Sequence, residues 1–477
     1  MEILLTRKFS WHNFRVLAAL AGIITTIICV VKGVPNYPEL YIYWMIPLGY
    51  TLFHVLGWRI YKYETGIALI VLEVVMFARF IIAPLVTTLF QTQDGLFIYN
   101  GCRENLNIAV FLMLYELLAV FFMINCFIPR VMKIKLSQVQ RVENVQEVSN
   151  GYNTSFAGWI IIVFWFYIMV KSPACRSYMF RITDISVQTI SQQEYQSNIP
   201  GVFLVFYYIG LVILYAMIIN LVQRQRGIFK SKAIRWLAII SSSFMFVSST
   251  WSNGESVSRW ALIVGLLIML YILIENFPDS KKRIIYTGIV LFVGILLIGS
   301  FAKRFVQGRG LTFWESIESY ISVKYVNEYF SGVFPVANGI ATAKQMNGNT
   351  FVIWLQDCFA NIPYFLSNFN LNETSSLIQF RTLTSRFDLI MPTIASGYRV
   401  FTIVGAPIYS MILIALAYLA ENKLRKTSDA LIQVFLLYIV FWCSLFMAVN
   451  VNIVQSACWK YVIGLVLIEA ERKLLRK

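Results

Sequence analysis

The sequence predicts an all-α polytopic membrane protein with about twelve transmembrane helices. Of its 477 residues, 58% are hydrophobic and 13% are charged, whereas a soluble domain carries roughly 25% charged residues. Apolar runs of 17 to 22 residues recur along the whole chain, and about 20 apolar residues are enough for a helix to cross a bilayer. Lysine and arginine are concentrated in every second connection between these runs, a pattern typical of helical membrane proteins.

Twelve apolar runs define the predicted spans, and none of the short alternating segments of a membrane β-barrel is seen. The spans lie near residues 14–31, 40–57, 66–90, 106–128, 156–171, 201–222, 234–250, 257–275, 284–301, 398–420, 430–449 and 453–470.

The distribution of positive charge predicts the orientation of the spans. The basic connections include the segments that contain Arg7 and Lys8, Lys281 and Lys282, and the C-terminal Lys477, whereas the short alternate connections are almost free of Lys and Arg. Cytoplasmic connections are the basic ones, so twelve spans place both termini in the cytoplasm. The net charge of +16 is explained by these connections, and no nucleic-acid partner is expected.

Two connections on the predicted outer side are long. Residues 172–200 form a medium loop, and residues 302–397 form a large one, which separates the first nine spans (1–301) from the last three (398–477). Long loops are translocated regardless of their charge. The large loop is rich in aromatic residues, and Tyr325 and Tyr329 follow a four-residue period typical of a helix. We therefore expect a folded, helical extracytoplasmic loop that covers a cavity.

Histidine is almost absent, which restricts the chemistry of the outer face. The two histidines, His12 and His54, both lie near the predicted cytoplasmic face. An outer site would then have neither an imidazole base nor a histidine metal ligand, and we expect no metal and no cofactor. A carboxylate would then have to act as the general base. The outer candidates are Glu255, Glu315, Glu318, Glu328, Asp357, Glu373 and Asp388.

Three arginines lie close together at the end of the large loop. Arg381, Arg386 and Arg399 fall within nineteen residues on the face that should be poor in positive charge. Guanidinium groups bind phosphate in a bidentate manner and stay charged in a low dielectric. A lipid diphosphate in the outer leaflet would present its charge at this depth. Each arginine alone also fits an interfacial residue whose stem snorkels.

Several ionisable residues lie within or at the ends of predicted spans. They are Glu73, Arg79, Glu116, Arg259 and Lys460. A charge at the bilayer centre costs at least ~2.5 kcal/mol, so these residues should face the protein interior or a cavity. Glu255 and Arg259 are four residues apart, which suits either a local helical ion pair or an anion-binding arginine held by its carboxylate neighbour.

Three features together resemble the Wzy family of O-antigen and capsular polysaccharide polymerases. The first is the architecture of many spans with a large outer loop late in the chain. The second is an arginine followed after ten residues by glycine in that loop, met here by Arg386 and Gly397. The third is local sequence: ESVSRWALIVG from Glu255 and YVNEYFSGVFPVANGI from Tyr325 resemble segments of these polymerases and of the related ligases. In the medium loop neither Arg176 nor Arg181 is followed by glycine at this spacing.

The resemblance implies a GT-C-like architecture and glycosyl transfer on the outer face of a bacterial cytoplasmic (inner) membrane. The growing glycan on undecaprenyl diphosphate would be the donor, and a single lipid-linked repeat unit would supply the attacking hydroxyl. The expected partners are therefore the undecaprenyl-diphosphate-linked oligosaccharide, membrane lipid and a chain-length regulator protein.

The charge that develops on the diphosphate leaving group requires stabilisation, which outer arginines supply without a metal. The resemblance thus implies Arg259 and Arg386 as catalytic and diphosphate-binding residues, with Arg399 and Arg381 as further diphosphate-binding candidates. The candidates for the general base are Glu255, Glu328 and Asp388, in that order.

Two other functions share parts of this pattern. An O-antigen ligase would have the same fold and arginines, but the ligases that we compare use a histidine in the late outer loop, which has none here. A lipid-linked oligosaccharide flippase or other transporter would also have twelve or more spans, but it would not need a folded loop of nearly one hundred residues.

Overall fold

The structure is a computed structural model of the chain. It describes residues 11–57, 66–90, 101–128, 156–176, 201–224, 231–250, 259–290, 322–360, 371–386, 389–427 and 429–475, together with residues 179, 294 and 362.

All longer elements of the described residues are helices, and no strand occurs among them. In chain order they are α1 (Trp11–Lys32), α2 (Met45–Leu56), α3 (Ile67–Phe90), α4 (Arg103–Phe127), α5 (Phe156–Lys171), α6 (Gly201–Arg224), α7 (Lys232–Thr250), α8 (Arg259–Asn276), α9 (Pro278–Val290), α10 (Val323–Phe330), α11 (Val333–Ala343), α12 (Thr350–Phe359), α13 (Ser376–Thr384), α14 (Thr393–Gly405), α15 (Ile408–Arg425), α16 (Ala430–Ser444) and α17 (Val451–Leu475).

The lengths and apolar composition of the helices confirm a helical membrane protein. Five of the described helices are long and apolar enough to cross a membrane, or up to seven if each of two bent pairs is one span. The outer surface of α1 carries exposed side chains such as Leu17, Ile24 and Val31, as expected of a helix that faces lipid. The predicted count of twelve spans is not confirmed. The helix in the predicted span 40–57 has only 12 residues.

The predicted span 398–420 is not one straight helix, and this prediction is corrected by the structure. Helix α14 begins at Thr393, inside the predicted large loop, and meets α15 at an angle of 109°. Near the bend, Thr402 has a φ of 61°, the left-handed conformation that residues with a Cβ rarely adopt. Gly397 packs against the bend so closely that a Cβ on it would lie 1.9 Å from the Ala406 carbonyl oxygen.

The large loop is helical where the structure describes it, and part of it packs into the bundle. Helix α10 packs against the C-terminal half of α3, and α11 packs against α4 and α14. Every residue of α11 is buried. The helix predicted from the tyrosine spacing is α10, but it ends at Ser331, which has a φ of 50°. A second helix starts two residues later because the left-handed cap turns the chain.

The connection between α16 and α17 is buried rather than exposed. The sequence predicts span 430–449 and a short outer connection, whereas α16 ends at Ser444 and residues 445–450 are irregular. All six are at most 4% exposed. We call these residues the 445–450 connection.

Side chains from three distant parts of the chain donate hydrogen bonds to successive carbonyls of the 445–450 connection. Arg79 Nη1 donates to Met447 O at 3.2 Å. Ser331 Oγ donates to Ala448 O at 3.4 Å. Thr393 Oγ1 donates to Val449 O at 2.6 Å. The connection is thus tied to α3, to the end of α10 and to α14.

Arg79 also forms a buried ion pair. It lies in a π-helical turn of α3, and its Nη1 lies 2.8 Å from Glu116 Oε2 on α4. Ser410 Oγ donates to the other carboxylate oxygen at 2.5 Å. Both charged side chains are at most 1% exposed, so each needs the other to offset the cost of its desolvation. The sequence predicts that both residues face the protein interior or a cavity, and both are buried in the structure.

At its other end, α3 is fixed by a carboxylate from α15. Glu421 accepts hydrogen bonds from the backbone N–H groups of Ile67 at 2.7 Å and Ala68 at 3.2 Å. A negative charge at a helix N-terminus is favourable because the first N–H groups have no partner within the helix.

We predict that the Arg79–Glu116 pair couples strongly in a double-mutant cycle. Arg79→Met or Glu116→Leu alone leaves one buried charge without its partner and should cost roughly 3–5 kcal/mol. The double variant should lose less stability than either single variant, because no isolated charge remains. Thermal unfolding of the four proteins in the same detergent measures this, and additive losses would contradict the prediction.

Candidate functional site

The structure brings together two of the residues selected from the sequence, Arg386 and Glu328. Arg386 Nη2 lies 3.7 Å from Glu328 Oε1, and the two side chains are 29% and 17% exposed. Glu328 lies on α10, while Arg386 follows α13. The pair thus connects α10 with the turn after α13, two separate parts of the large loop, and it is partly open to solvent.

The position of Arg386 is fixed by the end of α13. The helix ends at Ser385, which has a φ of 51°, so that the chain turns directly before Arg386. The N–H of Arg386 donates to the carbonyl of Arg381 at 3.2 Å. Arg381 Nε in turn donates to Leu389 O at 3.2 Å, which closes the turn from both sides. Arg381 therefore supports the turn that presents Arg386.

A small pocket adjoins the pair. It is lined by Lys324, Asn327, Glu328, Phe334, Pro335, Asn338, Phe380, Leu389 and Ile390. Lys324 and Glu328 are four residues apart and share one face of α10. Asn327 and Asn338 are 1% and 2% exposed, and the Oδ1 atom of each has no hydrogen-bond partner among the residues that the structure describes. The pocket thus offers a cation and a carboxylate, while the two asparagine oxygens are enclosed by the protein.

Arg399 lies in a different cluster. Its Nη2 donates to Met346 O at 3.1 Å and to Gly348 O at 3.4 Å, and it interacts electrostatically with Asp357. The proposed role of Arg399 in diphosphate binding gains no support from these contacts, which are structural.

Asp357 connects three elements around the site. Its carboxylate accepts hydrogen bonds from the N–H of Ser376 at 2.8 Å, from Ser376 Oγ at 2.9 Å and from the Tyr409 hydroxyl at 3.2 Å. Asp357 is on α12, Ser376 begins α13, and Tyr409 is on α15. Since α13 ends at the turn that presents Arg386, Asp357 helps to fix the position of that arginine.

Burial raises the pKa of Asp357 from its ordinary value of 3.8 to about 7, although the hydrogen bonds from Ser376 and Tyr409 oppose the rise. The side chain is fully buried, and the charged form of a carboxyl group is disfavoured away from water.

The other sequence-selected residues are only partly within the described structure. Glu255 and Asp388 lie outside the described residues. Arg259 is described as the first residue of α8, but its side chain is not. The next residue, Trp260, contacts Phe330 at the end of α10 with ring centroids 6.1 Å apart. The start of α8 is therefore next to the helix that carries Glu328.

Sequence reasoning missed Lys324, Asn327 and Asn338. A lysine in a long outer loop carries little information, because positive charge in such loops is tolerated. The two asparagines stand in the YVNEYF and PVANGI segments, where their neighbours are mainly apolar. A polar residue in a buried helix is the signal that could have identified them.

No protein-family model matches the chain, and neither do any characterised protein or any solved structure.

We predict that Asp357 makes the stability of the protein depend on pH. Between about pH 4 and pH 7 the folded state keeps a proton on this carboxyl that the unfolded state releases, so stability should fall as the pH rises through this range. The slope is at most on the order of 1.4 kcal/mol per pH unit, and it should fade as the pH rises past the folded-state pKa of about 7.

Thermal unfolding of the wild type and of Asp357→Asn in detergent from pH 4 to pH 8 measures this dependence. The variant lacks the titrating group, so the difference between the two melting temperatures should change across the range and then level off. Asp279→Asn, at an exposed position, is the matched control. A constant difference for Asp357→Asn would contradict the assignment.

Proposed function

We propose that the protein is a Wzy-type glycosyltransferase that polymerises lipid-linked oligosaccharide repeat units into a surface polysaccharide. The proposal includes its place in the bacterial cytoplasmic membrane, with both termini in the cytoplasm and the active site on the extracytoplasmic face. The observation that carries it is the contact between Arg386 and Glu328 beside a small pocket that Lys324 also lines. One residue can stabilise a diphosphate, and the other can accept a proton.

In the proposed reaction, a hydroxyl oxygen of the incoming repeat unit attacks the anomeric carbon of the growing glycan. The new glycosidic C–O bond forms while the bond from that carbon to the diphosphate oxygen breaks. The hydroxyl proton passes to the Glu328 carboxylate, and the bonding electrons leave with undecaprenyl diphosphate. No other reactant is needed for the balance of atoms and charge.

Arg386 is suited to the leaving group because of its chemistry and its position. Guanidinium binds phosphate oxygens with two parallel N–H groups. The 3.7 Å separation from Glu328 is longer than a charge-assisted hydrogen bond of ~2.7–2.9 Å. A diphosphate can thus compete for the guanidinium without breaking a tight pair. Its binding would release Glu328 to act as the base.

Lys324 and the start of α8 support the same proposal. Lys324 lines the pocket on the side of Glu328 and adds a second cation. Arg259 begins α8, which contacts α10 through Trp260 and Phe330. A diphosphate has more negative charge than one guanidinium neutralises, so further cations near the pocket would favour its binding.

The motif glycine also has a physical role in this proposal. Gly397 stands eleven residues after Arg386, where a Cβ would collide with the backbone of Ala406. The glycine lets α14 approach the bend before α15. The Arg386–Gly397 spacing therefore connects the diphosphate-binding arginine to the position where the chain re-enters the bundle.

We predict that Arg386→Ala abolishes polymer formation in cells from which the chromosomal gene is deleted. Removing one preorganised hydrogen-bond donor that faces the charge of the transition state typically raises the activation free energy by ~2.7–4 kcal/mol, which slows the reaction 100- to 1000-fold. Gel separation of the surface and lipid-linked glycans should show single repeat units in place of the ladder. Glu328→Gln, which keeps the size of the side chain, should give the same result.

Arg283→Ala is the matched control, because Arg283 is also followed after ten residues by a glycine, Gly294, but begins a different predicted span. It should leave the ladder unchanged. Long polymer that accumulates on the lipid carrier would indicate a ligase. A full ladder in both Arg386→Ala and Glu328→Gln, each present at wild-type amount in the membrane, would overturn the assignment of the site.

A further inference from the structure

A second cleft lies at the C-terminal end of α1 and in the connection to α2. It has a volume of about 420 Å³, within the range of ~300–1,000 Å³ that is typical of small-ligand sites. Its lining includes Lys32, Tyr37, Tyr41, Tyr43 and Trp44. None of the residues singled out from the sequence lies in this cleft.

We infer that this cleft is a carbohydrate-binding subsite, which holds a sugar of the acceptor repeat unit. This inference rests on the proposed function for the identity of the ligand as an acceptor, but the chemistry of the cleft stands independently of it. Sugar rings present an apolar C–H face and a rim of hydroxyls. The cleft pairs aromatic rings with the cation of Lys32, and amphipathic aromatic side chains suit a ligand of this kind.

The cleft is preformed by the local backbone. Gly33 has a φ of 60°, and it ends α1 in the left-handed conformation that glycine adopts without strain. Successive turns then follow, with the N–H of Tyr37 donating to Val34 O at 2.8 Å and the N–H of Tyr43 donating to Leu40 O at 3.0 Å. The connection would therefore lose little conformational entropy when a ligand binds.

An ion pair holds the connection against α4. Arg103 Nε lies 2.6 Å from Glu39 Oε1, and Arg103 Nη2 donates to Asn36 O at 3.3 Å. The connection between α1 and α2 is thus fixed to the start of α4 on one side of the cleft.

The aromatic residues divide into a floor and a rim. Tyr37 and Tyr43 are 4% and 2% exposed, whereas Tyr41 is 72% exposed. Lys32 is exposed and forms no ion pair among the described residues. The buried rings provide rigid walls, and the exposed ring and the ammonium group are free to contact a ligand.

The cleft shares a wall with the pocket beside Glu328. The ring of Tyr37, which lines the cleft, contacts the ring of Phe334, which lines the pocket, with centroids 5.1 Å apart. Both rings are buried, at 4% and 1% exposed, so this aromatic pair forms a layer of side chains between the cleft and the pocket. The cleft therefore neighbours the pocket that Glu328 lines, on the other side of this layer.

The test is the binding of oligosaccharide to the full-length protein in lipid nanodiscs, measured by calorimetry. The probe is the repeat-unit oligosaccharide released by mild acid from the lipid-linked glycans of cells that lack the gene. Tyr41→Ala and Trp44→Ala should weaken binding by roughly tenfold or more, because each removes an aromatic face from the ligand. Tyr286→Ala is the matched control, since Tyr286 is also 72% exposed but lies on α9.

Arg386→Ala separates this inference from the proposed function, because the released oligosaccharide carries no diphosphate. This variant should bind the probe at wild-type strength while it fails to form polymer. Wild-type binding in both Tyr41→Ala and Trp44→Ala, with their melting temperatures unchanged, would overturn the subsite and leave the proposed polymerase intact. Loss of binding in these variants together with a full ladder in Arg386→Ala would support the subsite and overturn the proposed site of catalysis.

Discussion

A buried carbonyl group has no water from which to accept a hydrogen bond, so irregular backbone in the protein interior must find its donors within the protein. The 445–450 connection meets this requirement through Arg79, Ser331 and Thr393, each from a different part of the sequence. This constraint determines much of the remaining architecture. It brings α3, the end of α10 and the start of α14 to one place, and it anchors the helices of the large loop in the bundle.

The two ion pairs that the structure describes near this centre differ in what they can do. Arg79 and Glu116 lie 2.8 Å apart and are almost fully buried, so separating them would leave charges in a medium that cannot solvate them. Arg386 and Glu328 lie 3.7 Å apart and keep some contact with solvent. Of the two pairs, the second is therefore the more accessible to a charged group from outside the protein.

The sequence predicted the helical membrane class because composition and apolar run length depend on the solvent that the chain meets. Arg386 and Glu328 could also be selected from the sequence, because they are charged residues in a predicted outer loop. It could not predict that the span at 398–420 is bent, because the bend depends on the contact between Gly397 and Ala406. Nor could it identify the pocket, since Asn327 and Asn338 become unusual only when their burial is known. Hydropathy reflects the free energy of transferring each local segment from water to an apolar medium. It contains no information about which distant side chain donates a hydrogen bond to a given carbonyl.

The 445–450 connection has a consequence for biogenesis. The chain is synthesised from its N-terminus, so α3, α10 and the start of α14 are made before the carbonyls that Arg79, Ser331 and Thr393 contact. Until α16 and α17 insert, these donors must be satisfied by water or by temporary partners. The C-terminal hairpin therefore completes the fold rather than extending it. A chain that stalls before residue 445 would leave Arg79, Ser331 and Thr393 without these carbonyl acceptors.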